Sequence, residues 1–267
     1  MLLVEGMTTP RPAPQTRFYP VNGIELAVHE WASQGGGMPL VFAHATGFHG
    51  RVWDAVAELF PTHPVHAIDL RGHGLSRAAP IADWRLLSGD VSDFFAQAGI
   101  TGAVGIGHSM GAHTLLQVAA DNPHPAIRRK RDFASPEAMI ERFASRDPYD
   151  LFAPRVFEDY CRHGLVPAAS GEGMELACAP EVEASVYASS RSNPGILEAA
   201  TRVDIPVLVV RAKHTSLNDF KSSPTWPDLA ARMPQGTDLY RPDMTHFHPF
   251  QDPGDAARII ADFMGEA

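Results

Sequence analysis

Short apolar runs alternate with amphipathic stretches along most of this chain. Pro39-Leu40-Val41-Phe42-Ala43, Val65-His66-Ala67-Ile68, Ala103-Val104-Gly105-Ile106 and Ile205-Pro206-Val207-Leu208-Val209-Val210 have the length and density of strands buried on both faces. Amphipathic segments over about 51–59, 84–98 and 112–120 follow the first three, and another over 253–264 closes the chain after a last strand at about 237–241. Strand and helix in alternation predict an α/β fold, a mostly parallel central sheet flanked by helices. Ahead of it, Arg17-Phe18-Tyr19, an Asn22-Gly23 turn and Ile24 to Trp31 predict a hairpin, and residues 1–16 read as a loose tail. The middle differs: residues 129–202 show helical periodicity in pieces (138–143, 156–160, 182–187) and no strand-like run. We therefore expect a core formed by 1–128 and 203–267, with 129–202 inserted as a helical cap.

One stretch carries chemistry. Gly107-His108-Ser109-Met110-Gly111 sits between a strand and a helix, the context in which G-x-S-x-G places a serine on a strained turn above the sheet edge. Flanking glycines let neighbouring segments approach where a Cβ would clash. Because the helix starts just after Ser109, the amide of Met110 is a free donor for a developing oxyanion.

A net charge of −9, with Arg128-Arg129-Lys130-Arg131 as the one short basic cluster, argues against nucleic acid or an anionic membrane surface as partner. The cluster reads as solvated surface. Cys161 and Cys178 lack C-x-x-C spacing and read as free thiols. The amino terminus has no basic region followed by a sustained apolar one, and no window approaches the roughly 18 apolar residues of a membrane span, so the expectation is a cytoplasmic protein. Thirteen histidines raise the question of a metal, and His246-x-His248 has a ligand-like spacing. Without H-E-x-x-H or clustered carboxylates, no metal and no cofactor are expected.

Four landmarks in order, His44-Ala45-Thr46-Gly47-Phe48, Asp69-Leu70-Arg71-Gly72-His73-Gly74, Gly107 to Gly111, and Thr245-His246-Phe247, make the chain resemble the α/β-hydrolase fold superfamily over roughly 17–121 and 203–265. The resemblance implies an eight-stranded core with an inserted cap. It places the nucleophile at Ser109, the general base at His246, and the oxyanion donors at the amides of Thr46 and Met110. Ala45 stands where the family commonly has glycine, and His248 is the nearby competitor of His246. Asp69, His44 and His73 are expected to brace loops. The triad acid is the weak point: its usual position after the seventh strand holds Thr215 or Ser216, which leaves Asp219 as the best visible candidate, ahead of Asp132 and Asp243. The sixth strand is not legible either, since Asp121-Asn122-Pro123-His124-Pro125-Ala126-Ile127 stands where an apolar run belongs. An open hole in the sheet favours loss of a segment after about residue 125, which would then have carried the acid.

Phe48 and His108, with Phe143, Phe152, Phe157 and Tyr160 from the cap, are the expected lining of an apolar substrate site. The implied function is a serine hydrolase of a small to medium, largely apolar carboxylic ester, thioester or lactone. Alternatives are a carbon-carbon bond hydrolase or perhydrolase on the same fold, and a non-catalytic ligand-binding protein with an impaired triad. The implied partner is a small-molecule substrate, in a monomer or homodimer.

Overall fold

The computed structural model describes residues 11–119, 132–168, 171–189, 195–216, 219 and 221–266. The basic cluster, the expected core-cap boundary at 128/129 and the place of the missing sixth strand lie outside these residues or at their margin.

The hairpin forms as its turn residues dictate. β1 (Gln15–Val21) pairs antiparallel with β2 (Ile24–Trp31), and Asn22 and Gly23 take φ of 40° and 80° between them. β3 (Leu40–Ala43), β4 (Val65–Ile68) and β5 (Val104–Gly107) complete a five-stranded sheet in the order β1-β2-β4-β3-β5, parallel from β4 to β5. Why β3 reads as an unbroken apolar run is plain from its two faces. Leu40 and Phe42 pack with Trp53 and Val56, whereas Val41 and Ala43 pack with Leu87, Val91 and Phe94. Those last three lie on one stripe of α2 (Arg85–Ala98), which ends on Gly99 at φ 64°. The helix expected over 51–59 is shorter, a 3₁₀ turn (Gly50–Trp53) running into α1 (Asp54–Ala57).

α3 (Met110–Val118) leaves β5, and the carboxyl-terminal half supplies α7 (Ile196–Ala200), then β9 (Val207–Ala212) and β10 (Gly236–Arg241), paired in parallel as a separate two-stranded sheet. α8 (His248–Gln251) and α9 (Pro253–Met264) close the chain. Among the described residues no strand pairs with the second edge of β5, so seven of the eight strands implied by the resemblance are present, split five and two.

Two expectations are corrected. The segment expected as a helical cap is not purely helical: besides α4 (Pro136–Phe143), α5 (Pro154–His163) and α6 (Pro180–Ala188) it contains β6 (Asp132–Phe133), β7 (Leu165–Pro167) and β8 (Met174–Leu176) in an antiparallel sheet. Strands of two or three residues are too short for a period-two pattern to register. Nor is the whole of 1–16 a tail. Arg11 is buried and its guanidinium donates to the carbonyls of Ala57, Phe60, Trp31, Ala32 and His63, tying the chain to the ends of β2 and α1. Arg11→Met keeps the stem but strands five acceptors, and should cost about 2–3 kcal/mol in chemical denaturation. A loss below about 0.5 kcal/mol would show that water replaces the guanidinium freely.

No helix among the described residues is long and apolar enough to cross a membrane. Cys161 and Cys178 are both buried, and neither forms a disulfide.

Candidate active site

The elbow is built as its glycines require. Ser109 takes φ 52°, ψ −112°, and Asn22 is the one other non-glycine residue described at positive φ. A Cβ on Gly107 would stand 2.3 Å from Ala112 Cα, and one on Gly111 would stand 2.1 Å from the carbonyl oxygen of Ala43. The pattern is thus a packing demand: α3 presses its first turn against the exit of β3. Because that exit leads to Thr46, Gly111→Ala should push the backbone amides of Thr46 and Met110 apart. We expect about 3 kcal/mol lost in thermal unfolding, with activity falling further than stability; full activity would show that Thr46 takes no part.

The loops around the elbow are braced by groups that the sequence reading marked as structural. His44 accepts from Leu70 N at Nε2 (3.0 Å) and donates Nδ1–H to Ala45 O (2.7 Å). Asp69 accepts from Gly50 N (2.6 Å) and Leu75 N (2.8 Å), and His29 Nε2 lies 3.2 Å from it. These bonds and the nearby imidazoles hold its carboxyl well below the usual carboxylate range despite complete burial. His73 Nδ1 is bonded to Arg71 O.

His246 comes to the elbow through His108. His108 Nε2 donates to His246 O at 2.8 Å, their rings lie 4.8 Å apart, and His246 N donates to Lys221 O. These contacts seat the His246 loop against His108, the residue before Ser109, and no hydrogen bond links Ser109 to His246 in this conformation. Burial lowers the His246 imidazole to about 4. His248 turns elsewhere: its Nε2 is 2.8 Å from Asp255, which also pairs with Arg241 and Arg258.

Asp219 accepts from Thr215 Oγ1 (2.5 Å) and Lys221 N (2.9 Å), closing its own loop, and makes no ion pair or hydrogen bond with His246. A short side chain that satisfies itself on neighbouring backbone is a turn former. Asp243 is held by Arg241, and the Asp132 side chain lies outside the description. Among the described residues no carboxylate hydrogen-bonds the His246 ring.

The aromatic residues named as the expected lining pack with one another in one buried cluster. Phe48, after β3, has its ring 5.0 Å from Tyr160, 6.0 Å from Phe152 and 5.1 Å from Phe250. Phe152 also meets Phe247, and Phe143 and Phe157 reach the group through Tyr149. Phe247 and Phe250, which the sequence reading did not place in the lining, thus join Phe152 to Phe48 directly after His246. Their signal was available as the i, i+3 pair facing inward on one short helical turn.

Against known proteins, the profile described as the alpha/beta hydrolase family matches residues 40–259. The chain belongs to that family. Within it, the chain is 31% identical over 113 residues to a pimeloyl-[acyl-carrier protein] methyl ester esterase of Vibrio campbellii, covering 42% of this chain and 43% of the relative. It thus spans less than half the length of this curated esterase. It is 23% identical to the sn-1-specific diacylglycerol lipase ABHD11 of Danio rerio, over 92% of this chain and 83% of that one. Among solved structures, E-2-(acetamidomethylene)succinate hydrolase superposes with a TM-score of 0.77 at 19% identity, covering 94% of this chain and 99% of that chain. At that identity the likeness speaks for the fold.

Proposed function

We propose that this family member hydrolyses a small to medium, largely apolar carboxylic ester, thioester or lactone through an acyl-enzyme on Ser109. The observation that carries the reading is the strained elbow itself, with its first helical amide and the Thr46 loop pressed together and the His246 loop bonded to the adjacent residue. Ser109 Oγ attacks the carbonyl carbon while His246 takes the hydroxyl proton. The Met110 and Thr46 amides receive the oxyanion, and the same proton passes from His246 to the leaving alcohol or thiol. Water, deprotonated by His246, then releases the acid. Named esterases and a lipase among the relatives support ester hydrolysis, and the aromatic group beside His246 supports an apolar acyl or alcohol part.

Turnover of p-nitrophenyl esters from acetate to decanoate, with labelling of Ser109 by a fluorophosphonate, tests the proposal. Among the described residues no carboxylate bonds the His246 ring, which favours one competing reading, a ligand-binding protein with a damaged triad, and the finding of neither turnover nor adduct would establish it.

The pH profile follows from the buried imidazole. His246 must be neutral to accept a proton, and burial lowers its pKa to about 4, so kcat/KM should hold from pH 8 to about 5 and fall as pH drops through about 4. An acid limb at pH 6.5 or above would instead reveal a carboxylate raising the imidazole.

A further inference from the structure

We propose that His108 is a positioning residue for His246: its Nε2–H holds the carbonyl of the base and keeps the His246 loop registered with the elbow that carries Ser109. This rests on the acyl-enzyme reading above. It gives His108 a task other than lining the substrate site.

His246 lies between β10 and the short α8, within neither strand nor helix, so no ladder or helical turn fixes its backbone. Both of its backbone groups are held from outside instead. Its N–H donates to Lys221 O at 2.9 Å, and its carbonyl accepts from His108 Nε2 at 2.8 Å. The first partner is main chain, from the loop between β9 and β10. The second is a side chain, from the residue directly before the nucleophile, so it ties the two halves of the candidate site to each other. A base displaced by about 1 Å loses on the order of 10² in rate, which makes such a tie matter.

The surroundings of His108 show what its polarity is for. The side chain is buried, at 5% exposure. A carbonyl can only accept, so Nε2 carries the proton, and Nδ1 is left buried with no partner among the described residues. Its ring otherwise meets rings: His246 at 4.8 Å, Phe250 edge-on at 4.9 Å and Phe247 at 6.2 Å. An imidazole with one nitrogen unsatisfied is a poor filler for such a place, because its desolvation is not offset, and a phenyl ring would occupy it at lower cost. Packing therefore does not account for a histidine here, whereas the bond to His246 O does. Burial, with His246 beside it, also holds the His108 pKa well below the usual histidine range. A neutral ring adds no charge that would oppose protonation of His246.

The test compares wild type with His108→Phe, His108→Gln and His108→Asn in p-nitrophenyl ester kinetics, fluorophosphonate labelling and thermal unfolding. Phe keeps a ring and drops the donor. Gln places an amide N–H near the position of Nε2, and Asn, one methylene shorter, falls short of the carbonyl. We expect His108→Phe and His108→Asn to lower kcat and the labelling rate at least about thirtyfold with KM within about threefold, and His108→Gln to restore kcat to within about threefold of wild type. The Tm of His108→Phe should equal or exceed that of wild type. Wild-type kcat in His108→Phe would overturn the proposal, and so would a loss confined to KM, which marks a lining residue. Equal rates in His108→Gln and His108→Asn would also overturn it, and this comparison holds even where His108→Phe folds poorly. Wild-type turnover that survives Ser109→Ala would instead remove the acyl-enzyme reading, and the positioning role with it.

Discussion

Ser109→Ala should abolish the fluorophosphonate adduct and lower ester turnover by at least about 10²-fold, and the size of the drop reports on whether a carboxylate supports His246. With a complete Ser-His-acid set, removing the serine costs on the order of 10⁶ in kcat, and removing the acid costs on the order of 10⁴. The two losses do not add, because the residues act as a unit. If no carboxylate supports His246, most of the machinery is already idle, and about 10² is all that Ser109 still contributes above the oxyanion donors. A drop near 10⁶ would mean that an acid engages His246 from residues outside those described. Equal turnover in wild type and variant, with no adduct on either, would remove Ser109 from the mechanism. The variant should fold normally, since the strain at 109 is a backbone property and alanine carries the same Cβ.

Asp90→Ala should be the most destabilising single change outside the site, at about 3–5 kcal/mol, or about 10 °C in Tm for a chain of this size. Asp90 is 1% exposed and accepts from Arg71 Nε (2.7 Å), Arg71 Nη2 (2.8 Å) and Asn22 Nδ2 (2.9 Å). Its carboxyl is nevertheless raised above the usual carboxylate range, because burial outweighs the pull of Arg71. The pair therefore contributes little net stability, yet breaking it strands a buried guanidinium. The double variant Asp90→Leu with Arg71→Met should recover most of the loss, since no unpaired charge remains. A single-variant cost below about 1 kcal/mol would show that water reaches Arg71 and that the pair is not desolvated.

Local patterns announced the elements with local causes. β4 and α9 begin and end where the apolar run and the amphipathic stripe do, and the Asn22-Gly23 turn sets the hairpin register. The elbow was legible because Gly107 and Gly111 are dictated by contacts within a few ångströms of the nucleophile. Arg11 escaped notice because its value lies in carbonyls 20 to 52 residues away. Asp219 shows the same limit: its place in the chain does not say whether it bonds within its own loop, as it does to Thr215 and Lys221.

The sequence by itself determined the α/β order, the serine at the strand-to-helix turn and the histidine before the last helix, because helix and strand periods and glycine-dependent turns are short-range properties of the chain. Only the tertiary structure decided that the His246 loop packs on His108 while His248 pairs with Asp255, that Phe152 and Phe48 close on Phe247 and Phe250, and that Asp54, Asp159 and His163 converge. Those outcomes depend on which distant side chains are buried against one another, and burial and desolvation are set by the packed whole.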